Sequence, residues 1–232
     1  LIDPGHGGRD PGAVASFKNG EDTIDIIEKE IVLDVSTYTY TLLKKQYPDK
    51  KILLTRTGDT YPSLEARVDM ANKIDLHPQE AIIFVSIHAN ASLNKNAAGF
   101  EVWYLPPEYR RTVLDPENVE GNTEEILPIL NTMLEEEYTV ESILLARSIL
   151  SGLDSQVGSV TLNRGLKEEV WFVVRKAKMP SVLVELGFVT NREEAVRMKN
   201  SDYLKKLSIG IYNGINAFVR QFEETNGFTV ME

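Results

Sequence analysis

The sequence predicts an α/β fold, a single twisted, mostly parallel sheet with helices on both faces. Three observations carry this reading. Residues 81–87 (AIIFVSI) and 181–185 (SVLVE) are apolar runs without alternation, as expected of strands buried on both faces of a parallel sheet. Between such runs lie stretches whose apolar residues recur at spacings of three and four, the mark of helices packed by one face. The chain has 232 residues, 42% hydrophobic and 26% charged, enough for one full-sized core. Residues 1–232 are therefore expected to form a single domain, and anything beyond the alternating βα scheme is read as an insertion.

The elements follow in order. Leu1 and Ile2 enter a turn, DPGHGGRDPG, in which Gly5, Gly7, Gly8 and Gly12 permit sharp bends and Pro4 and Pro11 stiffen the ends. Residues 15–27 read as a polar loop ending in an apolar turn. Residues 28–47 read as a helix with Ile31, Val32, Val35, Tyr38, Leu42 and Leu43 on one face, stopped by Pro48. At about 100° per residue, Glu28 falls within roughly 20° of Val35 and lies on the buried stripe, whereas Glu30 points about 140° away into solvent. A carboxylate on the core side needs a partner.

Residues 51–55 (KILLT) read as a strand and 62–75 as a helix with Pro62 and Ser63 at its start. Arg56, Asp59, Arg67 and Asp69, around this junction, are read as surface or supporting ion pairs. His77, before Pro78, is assigned no role. The strand at 81–87 ends in His88, and another follows at 99–105 (GFEVWYL). Residues 106–139 open with Pro106 and Pro107, carry Glu117, Glu120, Glu124, Glu125 and an acidic run at 135–137, and contain a candidate helix at 123–137. No minimal βα unit needs this segment, so it is read as an inserted helical or loop segment. A helix resumes at 140–153, strands follow at 169–175 and 181–185, and helices at 192–200 and 202–223 close the chain. No repeat or low-complexity segment is present.

The totals exclude several classes. With no cysteine, neither a disulfide framework nor thiolate metal ligands are available. A net charge of −10 argues against nucleic acid as a partner. No apolar run reaches about 18 residues, so neither a membrane span nor a signal peptide is read. Residue 1 already reads as lying inside a strand, so a targeting segment or preceding module is expected upstream of it. Without exposed heptads or a long apolar edge, a monomer is expected.

In open α/β sheets ligands gather at the carboxyl ends of strands. His6 follows the first strand, His88 the strand at 81–87, Glu185 closes the strand at 181–185, and Glu28 opens the helix after the first loop. Two imidazoles and one carboxylate make a hydrolytic zinc site with an open position; zinc is favoured over magnesium, which binds imidazole poorly, with manganese or iron as alternatives. A second carboxylate outside the metal's ligands would serve as general base, and Glu185, flanked by apolar residues, is placed where burial raises its pKa. The alternative for Glu185 is a buried ion pair with Arg175 or Lys176.

These motifs are similar to those of a known family. DPGHGGRDPG, the Glu28–Lys29 pair, LTRTGD at 54–59, SLEARVDMAN at 63–72, VSIHANAS at 85–92, GFEVWY at 99–104 and MPSVLVELGFVTN at 179–191 resemble the zinc-dependent N-acetylmuramoyl-L-alanine amidases of bacterial cell-wall hydrolysis. The resemblance covers the chain in order except for 106–139. It implies one Zn2+ ion held by His6, Glu28 and His88, with Glu185 as the catalytic glutamate. It also implies peptidoglycan as substrate, cut between the lactyl group of N-acetylmuramic acid and L-alanine, and work in the periplasm, cell wall or cell exterior. Some relatives active in cell separation carry a helix at the inserted position that blocks the zinc until a partner removes it. The expectation here is a glutamate such as Glu124 or Glu136 in the open metal position, or an activator protein docking on the apolar side of 123–137. The rival readings are a zinc peptidase of the stem peptide and an inactive relative that binds peptidoglycan or a partner.

Overall fold

The computed structural model describes residues 1–20, 22–77, 80–109, 111–114 and 125–225. Its strands are β1 (Ile2–Pro4), β2 (Val14–Asn19), β3 (Asp22–Ile27), β4 (Phe84–Asn90), β5 (Phe100–Tyr104), β6 (Asn163–Glu168) and β7 (Ser181–Phe188). Its helices are α1 (Glu28–Gln46), α2 (Leu64–Asn72), α3 (Leu127–Val157), α4 (Phe172–Lys176), α5 (Arg192–Met198) and α6 (Ser201–Thr225). Five strands form one sheet in the order β1-β4-β7-β5-β6, parallel at every pairing except β5 with β7. This is the mostly parallel α/β sheet read from the sequence.

Both faces of the sheet are covered, which is why β7 is buried at every position. Val182, Val184 and Leu186 join Val85, Ile87, Phe100 and Val102 in a core completed by α1, α3 and α6 through Val35, Ile149 and Ile211. Phe84 and Leu183 face the other way, onto Val68 and Ala71 of α2 and Val173 and Val174 of α4. Successive strand residues point to opposite faces, so two covered faces erase the alternation that a one-sided sheet would print in the sequence.

Several boundaries differ from the sequence reading. Residues 15–27 form an antiparallel hairpin rather than a loop, pairing Val14 with Ile27 through to Asn19 with Asp22 around Gly20. Ile26 is fully buried, but exposed Asp22, Thr23 and Asp25 dilute the apolar signal. Residues 51–55 make only a bridge to the sheet edge, with the Ile2 N–H bonded to the Leu53 carbonyl and the Thr55 N–H to that of Ile2. The expected strand at 169–175 is displaced: the strand is β6, whose polar sequence suits a sheet edge, and the apolar residues after it enter the short α4.

Residues from the expected helices at 123–137 and 140–153 lie in one continuous α3 of 31 residues, since nothing between them breaks a helix. The described residues of the inserted segment are tied into the fold. Buried Arg111 donates from Nε to both oxygens of buried Glu135 (3.1 and 2.8 Å) and from Nη1 to the Ala177 carbonyl (2.8 Å). The Val113 and Leu114 N–H groups both donate to Asn131 Oδ1 at 2.8 Å.

One buried acid on α3 makes stability depend on pH. Burial, reinforced by the charge of Glu137, pushes Glu141 up to about 7. Between the usual carboxylate range and pH 7 the unfolded chain releases this proton while the folded chain keeps it, so stability falls as pH rises across that window. Glu141→Gln removes the effect. Its stability relative to the parent should rise between pH 4 and pH 8 by up to about 3 kcal/mol, read as a growing difference in melting temperature. A pH-independent difference between the two proteins would refute the assignment.

Candidate metal centre

The loop after β1 is shaped by its glycines and held by cations. A Cβ on Gly5 would lie 2.3 Å from Cε1 of His88, and one on Gly12, whose φ is +66°, 2.5 Å from Glu28 Oε2. Only glycine lets the backbone come this close. His6 itself has φ 56°, the one non-glycine residue with a left-handed backbone among the described residues. Such a conformation is retained when its surroundings over-determine it.

Those surroundings are two arginines and a lysine. Arg67 donates to the Pro4 and His6 carbonyls, both at 2.6 Å, and Arg56 to the Pro4 and Gly5 carbonyls at 3.0 and 2.7 Å. Lys29 Nζ reaches the Gly8 carbonyl at 2.9 Å and Asp59 at 2.8 Å. Arg56 and Arg67 are 3% and 2% exposed, so of the two expected roles, surface or supporting pairs, they take the supporting one, Arg67 through Asp3. A guanidinium has five donors in a fixed fork and can satisfy several loop carbonyls at once. Beneath the loop, Asp3 accepts from Thr55 Oγ1 (2.5 Å), Arg67 Nη1 (2.7 Å) and Ser86 Oγ (2.7 Å). Asp59 and Asp69 do lie near the surface, where Asp69 pairs with Lys73 at 2.6 Å.

The residues predicted from sequence meet. Glu28, the first residue of α1, is 4% exposed, and its Oε1 lies 3.1 Å from His6 Nε2 and 3.0 Å from His88 Nδ1. The same oxygen accepts the Ala89 N–H at 3.0 Å, and Oε2 accepts that of Ala13 at 2.8 Å. One ligand atom from each of His6, Glu28 and His88 falls within 4.8 Å of the others. Metal–ligand bonds of about 2.0–2.2 Å bring such atoms around one ion with small side-chain shifts. Burial opposes the Glu28 charge, but hydrogen bonds to the two imidazoles outweigh it and hold this carboxyl far below the usual carboxylate range.

His6 Nδ1 meets Asp10 Oδ2 at 2.8 Å. A carboxylate behind a ligating histidine fixes its tautomer and ring orientation. Burial works to lower the pKa of His6, and the adjoining Glu28 and Asp10 raise it overall. The two imidazoles stand 4.9 Å apart with their rings at 81°.

Glu185 lies in register with His88 on β4 and with Glu101 on β5, so the three side chains share one face of the sheet. It is 8% exposed, and its Oε2 is buried with no hydrogen-bond partner among the described residues. Desolvation first, then the charges of Glu28 and Glu101, push its pKa well above the ordinary value. The alternative pair with Arg175 or Lys176 is not formed among the described residues; Arg175 lies over the Phe172 ring, 5.6 Å from its centroid. Glu101 is bound by Asn90 Nδ2 at 2.9 Å and Arg164 Nε at 2.7 Å.

Sequence reasoning missed Asp10, Glu101 and Arg164. Asp10 could have been found four residues after His6 in the same turn; nothing local marks the other two, because strand register joins them to the site.

Above the centre opens a cleft of about 140 Å³, lined by His6, Asp10, Tyr61, Leu64, His88 and Trp171 among others. A larger cavity, about 560 Å³ between Ile52, Ile83, Pro180 and Phe218, contains none of the four predicted groups. None of the described residues of 106–139 lines the cleft. Glu136 is exposed on α3, Glu135 is committed to Arg111, and Glu124 lies outside the described residues.

Fold and site together define a class, an α/β protein with a candidate metal centre at the carboxyl rim of its sheet. The chain belongs to the N-acetylmuramoyl-L-alanine amidase family, whose sequence profile matches residues 1–217. It is 31% identical over 220 residues to the N-acetylmuramoyl-L-alanine amidase LytC of Bacillus subtilis, covering 95% of this chain and 35% of LytC. It is 29% identical to the amidase AmiC of Escherichia coli O6:H1, covering 94% of this chain and 52% of AmiC. The chain thus spans about a third to a half of the length of these relatives. The crystal structure of an N-acetylmuramoyl-L-alanine amidase from Clostridium difficile 630 superposes with a TM-score of 0.69 at 30% identity, covering 94% of this chain and 95% of that one.

Proposed function

We propose that this chain hydrolyses the amide joining the lactyl group of N-acetylmuramic acid to L-alanine in peptidoglycan, with His6, Glu28 and His88 holding one zinc ion. The observation that carries the reading is the convergence of both imidazoles on Glu28 Oε1, with buried Glu185, whose Oε2 has no hydrogen-bond partner among the described residues, one strand away. Two nitrogens and one carboxylate oxygen, each oriented by a further hydrogen bond or by packing, form a donor set suited to zinc and poorly suited to magnesium. Zinc in such a site supplies Lewis acidity, polarising a carbonyl and lowering the pKa of water.

The remaining chemistry belongs to Glu185. Its raised pKa suits a group that takes a proton from the attacking water and returns it to the departing alanine nitrogen. An amide anion leaves too slowly unless protonated, so the same carboxyl serves as base and then as acid. Asp10 and the Ala13 and Ala89 N–H groups hold His6 and Glu28 in place throughout. The substrate sets the work in the periplasm, cell wall or cell exterior; no helix among the described residues is long and apolar enough to cross a membrane. Exposed Ile129, Met133 and Val140 on α3 offer an activator protein an apolar contact.

Product analysis on purified peptidoglycan tests the reading. The zinc-loaded chain should release new amino groups of L-alanine without new reducing sugar ends. A chelator should abolish this, and one equivalent of zinc should restore it. New termini at any other stem-peptide residue, or turnover indifferent to chelation, would overturn it.

A further inference from the structure

The cleft over the metal centre has a composition that catalysis does not explain. Beyond His6, His88 and Asp10, its lining includes Tyr61, Leu64, Trp171 and Phe172. Trp171 is 41% exposed, Tyr61 38% and Leu64 46%, so these side chains stand at the rim instead of filling a core. Each ring nevertheless leans on a neighbour. Trp171 packs edge to face against Trp103 with centroids 6.0 Å apart, and the Arg9 guanidinium lies 4.9 Å from the Tyr61 centroid. A ligand laid on a pre-set ring loses little side-chain entropy.

Size and charge narrow the occupant. At about 140 Å³ the cleft is well below the ~300–1,000 Å³ of pockets that enclose a whole ligand, so it holds one unit of a larger substrate. Arg67, the one cation lining it, is already engaged by Asp3 and by the Pro4 and His6 carbonyls. Asp10 is paired with His6 and adds no cation to the cleft. A stem peptide carries carboxylates close behind its first alanine; a pyranose offers an uncharged face of C–H groups.

Resting on the amidase reading above, we infer that this cleft is the subsite for the muramoyl sugar ring, with Trp171 as the residue that selects for it and Tyr61 as a second aromatic wall. The peptide would then leave the centre on the Glu185 side. The ring contact of Trp171 is with Trp103, and Trp171 supplies neither a candidate metal ligand nor a proton-transfer group, so its effect is separable from chemistry.

The test compares two ligands that differ only by the sugar, N-acetylmuramoyl-L-alanyl-D-isoglutamine and D-lactoyl-L-alanyl-D-isoglutamine. They are titrated into zinc-loaded Glu185→Gln protein and followed by the indole N–H resonances of its two tryptophans. The Trp171 resonance should shift with the muramoyl compound and stay with the lactoyl one. Trp171→Ala should lower the ratio of the two affinities at least tenfold, and Trp171→Phe should keep it within threefold. Equal shifts with both ligands, or an affinity ratio unchanged in Trp171→Ala, would overturn the subsite. The parent enzyme's products from the muramoyl compound are scored separately: release of the dipeptide with an unchanged affinity ratio sinks the subsite alone. Cleavage elsewhere sinks the amidase reading and the subsite with it.

Discussion

Glu185→Gln should keep one equivalent of zinc and lose between about a hundredfold and ten-thousandfold of turnover, the range spanned by general acid–base catalysis. The substitution is nearly isosteric and leaves His6, Glu28 and His88 untouched. It removes the group to which the proposed mechanism assigns the proton transfer from water to the leaving nitrogen. Stability should not suffer, because Glu185 Oε2 has no hydrogen-bond partner to lose and the neutral amide relieves the repulsion from Glu28 and Glu101. Zinc analysis, a melting curve and turnover on purified peptidoglycan check the three parts together. Activity within tenfold of the parent, with zinc bound, would remove Glu185 from the reaction.

The second large effect concerns the support beneath the loop. Arg67→Met should lower stability by about 3–5 kcal/mol, the cost of stranding one partner of a buried ion pair. Asp3 and Arg67 side chains are 1% and 2% exposed and 2.7 Å apart, so water cannot replace the lost guanidinium. The Pro4 and His6 carbonyls lose donors in the same step. At about 2–4 °C per kcal/mol for a chain of this size, the melting temperature should fall by roughly 10 °C. Adding Asp3→Asn should recover part of the loss, because the stranded charge is then gone. Zinc affinity should also weaken, since the His6 backbone is held in its left-handed conformation by this contact. A fall of less than 3 °C would show that the pair contributes little.

Much of the site was legible in the chain because its signals are local. A hundred-degree step per helical residue was enough to turn Glu28 inward and Glu30 outward, and Glu28 is buried while Glu30 is exposed. The glycine-rich turn marks His6 just past the end of β1, whereas Glu185, read as closing its strand, lies inside β7, which runs on to Phe188 because Leu186 and Phe188 are buried as well. Where the reading failed, the signal was diluted or belonged elsewhere. The polar outer face of β2 and β3 concealed a hairpin, and the apolar residues 171–174 suggested a strand but supply α4 and the wall of the cleft.

Periodicity and residue chemistry therefore indicated the fold class and singled out His6, Glu28 and His88, which converge, and Glu185, in register with His88, since both signals are written in residues a few positions apart. Strand order, the antiparallel placing of β5 beside β7 and the burial of Arg56 and Arg67 came only with the assembled chain. Whether a charge is buried depends on partners supplied by distant elements. Arg67 finds Asp3 across 64 residues and Arg164 finds Glu101 across 63, separations over which no local pattern carries information.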